Sequence, residues 1–285
     1  MTKTIAISTM EKFDNRQKNT VGSSRIRARW LLNYWKEAEE YKMGKNYDVM
    51  IYQKVYWKKM MEKFDGIQIL DICDPDWLEK KPVFEFVDLA DATVTSSEPL
   101  AQYIQKIRPS AKVVCIPDRM YLPELTPVKS KHEGKIRSMV WFGYSQNTHY
   151  LQKTFDELLK NDIKLTIISN QPYTPPYAFQ KLEVENIPYD YNTVNSELIK
   201  HDALLMPAPS DDIKGQYKSN NKVLIGWALG LPVVSTADEL DAMMDAKVRK
   251  IESEKRLKEI REKWDVKISV QEYKQLIAEI REAKK

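Results

Sequence analysis

Lys218 to Ser235, KSNNKVLIGWALGLPVVS, sets two lysines at the entry of an apolar run with helical spacing. Val223, Leu224, Trp227, Ala228 and Leu231 recur at that spacing, so one face of the helix is expected to be core. Ser219, Asn220 and Asn221 are of the types that cap a helix start, and Gly230 is of the type that ends one. A helix N-terminus presents unpaired N–H groups and a partial positive charge, and Lys218 and Lys222 add full charges beside it. That chemistry suits an anion, and by itself it says no more than that.

Other polar clusters follow strand-like runs, which is where parallel α/β sheets bind their ligands. Gly143-Tyr144-Ser145-Gln146-Asn147 closes the run Ile136 to Phe142; the glycine would let the backbone approach a phosphate, and Ser145 or Asn147 would cap a helix or donate to a ligand. Met206-Pro207-Ala208-Pro209-Ser210 is a rigid turn suited to walling a base or ribose, and the adjacent Asp211 and Asp212 read as solvated acids. Gly22-Ser23-Ser24-Arg25 precedes a helix-spaced stretch. There Arg27 and Arg29 with Trp30, Tyr34 and Trp35 would suit nucleic acid, whereas Ile26, Trp30, Leu31 and Tyr34 at helical spacing argue instead for core. Gln53-Lys54, Asp71, Asp74 and Asp118 also stand at strand ends. Each aspartate would either act on a hydroxyl as an orienting group or base, or serve a turn by local hydrogen bonding.

Several chemistries lack their residues. The three histidines, His132, His149 and His201, share no spacing that suggests a metal cluster or a nucleophilic triad. No Gly-x-x-x-x-Gly-Lys-Ser occurs, and no Gly-x-Gly-x-x-Gly follows the first strand, so a P-loop nucleotidase or a simple dinucleotide-dependent dehydrogenase lacks its phosphate cradle. Cys73 and Cys115, the only cysteines, sit in apolar runs and read as reduced, buried thiols. The formal charge of +4 is too small a surplus to indicate polyanion binding. No apolar run approaches the roughly 18 residues of a membrane span, and the N-terminal MTKTIAIS enters a strand-like alternation without the features of a signal peptide, so a cytoplasmic location is expected.

The elements that must position these residues form two series. Buried strands are expected at Thr4 to Ser8, Tyr47 to Tyr52, Ile67 to Ile72, Ala92 to Thr95 and Val113 to Ile116. A second series stands at Ile136 to Phe142, Leu165 to Ser169, Ala203 to Met206 and Val233 to Ser235. Helix-length segments separate most of them, including an amphipathic one carrying Leu151, Phe155, Leu158 and Leu159. The 285 residues thus divide into two α/β halves with parallel sheets, joined by a Pro/Lys-rich linker at Leu122 to Lys135. From about Asp238 onward the chain is rich in Lys, Glu, Arg and Leu and reads as helices, with Ser269 and Glu272 at capping-box spacing.

Lys218 to Ser235 resembles the donor-binding segment of GT-B glycosyltransferases, particularly the retaining family-4-like group, in which a helix followed by Gly-Leu-Pro-Val-Val packs beneath the donor's diphosphate. Asp91 to Ser97 (DATVTSS), with Pro99, Leu100 and a strand at Lys112 to Pro117, resembles the end of a GT-B N-terminal domain. Val140 to Gly143 (VWFG) resembles the first strand and loop of the C-terminal domain, so the resemblance covers most of the chain. It implies two Rossmann-like domains with parallel sheets facing an interdomain cleft: residues 1–130 for the acceptor, 131–250 for the nucleotide sugar, and helices at 251–285 crossing back onto the N-terminal domain.

The implied activity is retaining transfer of a sugar from a nucleoside diphosphate sugar, with a UDP-sugar as the expected co-substrate and with no cofactor and no metal. The implied donor set is Gly143, Tyr144, Ser145, Asn147, Pro207, Ala208, Pro209, Ser210, Lys218, Ser219, Asn220, Asn221, Lys222 and Val223, with Lys218 and Lys222 stabilising the departing diphosphate. Gly22, Ser23, Ser24, Arg25, Gln53 and Lys54 are expected on the acceptor side, with Asp71 and Asp74 acting on the acceptor hydroxyl. One departure stands out: the family's two glutamates, with seven residues between them, fall on Tyr217 and Ile225 when aligned on Gly230. Two further readings stay open, a non-catalytic GT-B-like binding subunit and, from Arg25, Arg27 and Arg29 beside aromatics, transfer onto hydroxymethylated bases in DNA; the acceptor is not read from the sequence, a saccharide and modified DNA being the candidates.

Overall fold

The computed structural model describes residues 4–10, 21–207 and 213–285. Ala208, Pro209, Ser210, Asp211 and Asp212 lie outside the described residues. The chain forms two compact units: residues 1–121, 211–220 and 264–285 make unit 1, and residues 122–210 and 221–263 make unit 2.

Among its described residues, unit 1 holds one parallel sheet with strands β1 (Ile5–Thr9), β2 (Ala38–Glu40), β3 (Val49–Gln53), β4 (Ile67–Ile72), β5 (Ala92–Thr95) and β6 (Val113–Cys115), in the order β2-β1-β3-β4-β5-β6. The inner strands are apolar because helices cover both faces, and β3 and β4 are buried along their whole length. Unit 2 holds a second parallel sheet of β7 (Ser138–Gly143), β8 (Lys164–Ser169), β9 (Val184–Pro188), β10 (Ala203–Leu205) and β11 (Val233–Val234), in the order β11-β10-β7-β8-β9. Both orders reverse beside the unit's first strand, between β1 and β3 and between β7 and β10. Such reversals open a crevice at the carboxyl ends of the strands, so sheet topology alone points to those two places.

The expected strands all form. β2 and β9 were not anticipated, and both are edge strands: β2 reads Ala-Glu-Glu, and β9 is largely exposed. An edge strand has one neighbour and needs no continuous apolar run, so periodicity does not reveal it. The segment 122–135, which follows β6, lies in unit 2. Asn195 Nδ2 donates to the Glu124 carbonyl at 2.8 Å, and Lys129 N–H donates to the Leu229 carbonyl at 2.8 Å, which ties the segment into unit 2.

The terminal helices divide between the units. Helix Ala246–Lys263 belongs to unit 2 and packs on helix Asn221–Ala228, with the Arg256 guanidinium 4.0 Å over the Trp227 ring. Helix Val266–Ala283 belongs to unit 1, where Val270, Tyr273, Leu276 and Ile277 are buried. Its N-cap is Asp265, whose side chain accepts from the Lys267 N–H. Ser269 and Glu272, at capping-box spacing, instead grip Arg119: Nη1 reaches the Ser269 hydroxyl at 3.0 Å, and Nη2 reaches Glu272 at 2.8 Å. Among the described residues no helix is long and apolar enough to cross a membrane.

Candidate functional site

In unit 2 the lysine helix runs over Asn221–Ala228 and ends in the manner its glycine predicts. Gly230 adopts a φ of 73°, its N–H bonds to the Trp227 carbonyl, and the Leu231 N–H reaches back to the Gly226 carbonyl at 2.9 Å. This pair of bonds is a Schellman closure, which needs a left-handed residue at this point. A Cβ on Gly230 would also collide with the Lys129 carbonyl, so close approach and conformation both require glycine here. Leu224, Ala228 and Leu231 face the core, as their spacing implies, and Trp227 lies half-buried under Arg256.

The start of this helix meets the end of β7. A Cβ on Gly143 would collide with Lys222 Nζ and with the Trp141 ring, and Lys222 Nζ stands 5.2 Å from the Trp141 ring centre and 5.8 Å from that of Phe142. Two motifs 79 positions apart, Gly143 and Lys222, are thus brought together at the carboxyl edge of the sheet beside its switch point. The arrangement presents an ammonium on aromatic faces, helix N–H groups and a backbone without a side chain, which is what an oxyanion requires. Pro207 follows β10 on the same edge and is buried; Val223 is half-buried in the first turn of the helix. Tyr144 is exposed beside Gly143.

The N-cap position of the segment after β7 falls on Tyr144, whose side chain makes no capping bond, and the Ser145 N–H is taken by Asn170 Oδ1 at 2.9 Å. Asn170 follows β8, next to β7, so only strand pairing brings it to this edge. The segment itself is a 3-10 helix over Ser145–Thr154 that passes into an α-helix at Phe155–Lys160.

Lys218, Ser219 and Asn220 belong to unit 1 and precede the helix. Lys218 and Asn220 are exposed, while Ser219 is half-buried and donates to Asp118 Oδ2 at 2.5 Å. The positions of the family's glutamates offer no carboxylate. The Tyr217 ring packs edge-on to Trp77 and Tyr103 at 5.4 and 5.7 Å, and Ile225 is buried.

In unit 1 the residues expected on the acceptor side gather at the switch point between β1 and β3. Gly22, Ser23 and Ser24 open a helix whose next five residues, Arg25–Arg29, form a π-turn. Ser24 Oγ donates to Gln53 Oε1 at 3.4 Å. Lys54 follows with a φ of 52° and is buried; its Nζ binds Asp74 at 2.6 Å and Asp76 at 3.2 Å, and the Tyr56 hydroxyl donates to Asp76 at 2.7 Å. Burial alone would lower the Lys54 pKa, but Cys73, Asp74 and Asp76 outweigh it and hold the ammonium well above its ordinary range. The Asp74 side chain is 45% exposed, so it remains open to a ligand.

Asp71 is placed differently. It is fully buried and holds Arg27 through two bonds, Nε to Oδ1 at 3.1 Å and Nη2 to Oδ2 at 3.0 Å; Tyr273 donates to the same carboxylate. Arg27 Nη1 also reaches the Ile116 carbonyl at 2.6 Å and Asp118 Oδ1 at 3.2 Å. Burial opposes the Arg27 charge, yet Asp71, Tyr273 and Asp118 raise its pKa; burial and Asp71 raise that of the Tyr273 phenol. Asp71 therefore neutralises a core arginine and has no access to an acceptor. Arg25, Trp30 and Trp35 are buried as well, with the Arg25 guanidinium 5.8 Å over the Trp30 ring, so these residues supply core, whereas Arg29 and Tyr34 are half-buried. Among the described residues no group of three or more His, Cys, Asp or Glu side chains is placed to hold a metal.

No known family profile and no curated protein matches the sequence. Solved structures do match. A mutant of S. aureus TarM, crystallised with fondaparinux, α-GlcNAc-glycerol and UDP, aligns over 85% of this chain at 11% identity and a TM-score of 0.60. This chain spans 55% of that protein's length. HepE of Anabaena, in complex with UDP-glucose, aligns over 98% of this chain and 99% of its own at 9% identity and a TM-score of 0.62. An α-glucosyltransferase bound to UDP and a 13-mer DNA with an HMU base aligns over 81% and 80% at 11% identity and a TM-score of 0.58. With two parallel sheets in two α/β units and these neighbours, the chain has the fold of the GT-B glycosyltransferases.

Proposed function

We propose that the protein transfers a sugar from a nucleoside diphosphate sugar to a hydroxyl acceptor. The observation that carries this reading is the meeting of Lys222 with Gly143 at the carboxyl edge of unit 2's sheet. Transfer breaks the bond between the anomeric carbon and the diphosphate oxygen, and negative charge grows on the departing group. Lys222, Lys218 and the N–H groups of the helix start supply the fixed positive charge that stabilises it, without a metal ion. UDP-sugars are the donors to try first, because neighbours of this fold were crystallised with UDP or UDP-glucose. Retention at the anomeric carbon follows from the resemblance to the family-4-like group.

On the acceptor side, Asp74 is the carboxylate open to a hydroxyl, with Lys54 as its counter-ion and Gln53 and Ser24 beside them. Asp71 has no part in this reading, and the burial of Arg25 and Arg27 leaves Arg29, itself half-buried, as the one arginine of the three that a DNA acceptor could meet. A saccharide hydroxyl is the acceptor we favour. The test is calorimetric titration of UDP and UDP-glucose into the wild type and Lys222→Ala, with UDP-glucose hydrolysis followed in parallel. Binding lost in the variant together with slow hydrolysis supports a transferase. Binding without turnover, with or without saccharide acceptors, supports a binding subunit instead, and absence of binding in the wild type overturns the site.

A further inference from the structure

The loop that leads into the lysine helix is held on unit 1 by side chains from several of its elements. Lys214 pairs with Glu79 at 3.1 Å, Ser97 Oγ donates to the Tyr217 carbonyl at 2.8 Å, and the Tyr217 ring packs on Trp77 and Tyr103. The last hold is Ser219 Oγ on Asp118 Oδ2. Asp118 is 4% exposed, and its second oxygen faces Arg27, which Asp71 and Tyr273 fix in turn. A buried network of this kind is stiff, because moving one member leaves another buried charge without its partner. Ser219 is the point at which this stiffness reaches the loop, one residue after Lys218 and three before Lys222.

We propose that Ser219 and Asp118 are positioning residues for Lys218, the unit 1 member of the proposed diphosphate lysines. The hydroxyl-to-carboxylate bond fixes the backbone from which Lys218 projects, so that cation is ordered before the donor arrives. A loop ordered in advance spares binding the entropy of ordering long lysine side chains and their backbone. The bond is charge-assisted and short, as expected of a contact that sets geometry. The network thereby has a use beyond stability: it lends its rigidity to the donor loop.

This inference rests on the donor-site reading above, and the experiment separates the two. UDP binding is measured by calorimetry for the wild type, Lys222→Ala, Ser219→Ala and Ser219→Thr, with a urea melt of each. The expected result is that Ser219→Ala weakens UDP binding about tenfold while the protein stays folded, with the melt lowered only by the one bond Asp118 loses. Ser219→Thr, which keeps the hydroxyl, should return affinity to within about threefold of the wild type. A role confined to stability would move the melt and leave affinity in the folded protein alone. If Lys222→Ala loses UDP while Ser219→Ala binds as the wild type does, the positioning role is overturned and the donor site stands. If Lys222→Ala binds UDP as the wild type does, the donor site itself falls, and this inference with it.

Discussion

Arg27 in unit 1 and Lys222 in unit 2 are both basic side chains brought to the carboxyl ends of parallel strands, and their surroundings give them opposite uses. Arg27 is buried, and Asp71 and Asp118 with Tyr273 occupy its donors. Lys222 lies over the rings of Trp141 and Phe142 beside a glycine, at the start of a helix whose N–H groups add to its field. A cation already met by carboxylates has nothing left for a ligand, and its burial makes it costly to disturb. A cation set on aromatic faces next to bare backbone, at a helix start, stands where an incoming oxyanion meets it. Placement at a strand end therefore does not identify a site residue; the partners of the side chain decide.

The largest effect that would break this comparison is in unit 1. Arg27→Met should cost about 3–5 kcal/mol, because it leaves two buried carboxylates without their partner, and a urea melt followed by circular dichroism measures it. If the folded fraction of that variant lost UDP-glucose turnover far beyond what loss of positioning explains, the arginine would be doing chemistry and the contrast would fail. Lys222→Ala should reverse the pattern, with stability within about 0.5 kcal/mol of the wild type and UDP affinity lower by about 1.5–3 kcal/mol, read by calorimetry. Gly143→Ala sharpens the same side: its Cβ needs the space of the Lys222 ammonium, so UDP affinity should fall by about tenfold, roughly 1.4 kcal/mol.

The smallest effect concerns His132, which sits among cations in unit 2 much as Arg27 sits among carboxylates in unit 1. Burial, then Lys129 and Arg249, push its pKa down to about 4, and Asp202 and Glu254 oppose this too weakly to offset it. The folded state therefore holds the imidazole neutral where the unfolded chain, with a pKa near 6.5, begins to bind a proton. The stabilisation is fully present above about pH 6.5 and is lost as pH falls toward about 4, a change of about 1–2 kcal/mol. Melts across that window should show a slope that His132→Gln flattens.

The fold was largely legible because its signals are local. Apolar runs marked the inner strands, and Gly230 marked the end of the lysine helix at the residue where the left-handed turn occurs. The edge strands β2 and β9 left no such mark. The site was legible in part. Gly143 and Lys222 could be singled out from their motifs, whereas Asn170 could not, since an asparagine after a strand becomes a cap only when its neighbour's loop lies beside it. Asp71 and Asp74, three residues apart, looked equivalent in sequence; the side chain at 71 points to a core arginine, and the one at 74 reaches the surface.

The sequence by itself determined two parallel α/β units, the helix with its lysine entry and the glycine that closes it, because hydrophobic period and backbone conformation act within a few residues. Only the tertiary structure decided that Lys218 and Ser219 belong with unit 1 while Lys222 belongs with unit 2, that helix Val266–Ala283 returns to unit 1, and that Asp71 serves Arg27. Those outcomes depend on partners 44 to 246 positions away, such as Asp71 and Tyr273 for Arg27, and on whether a buried charge finds a counter-charge there.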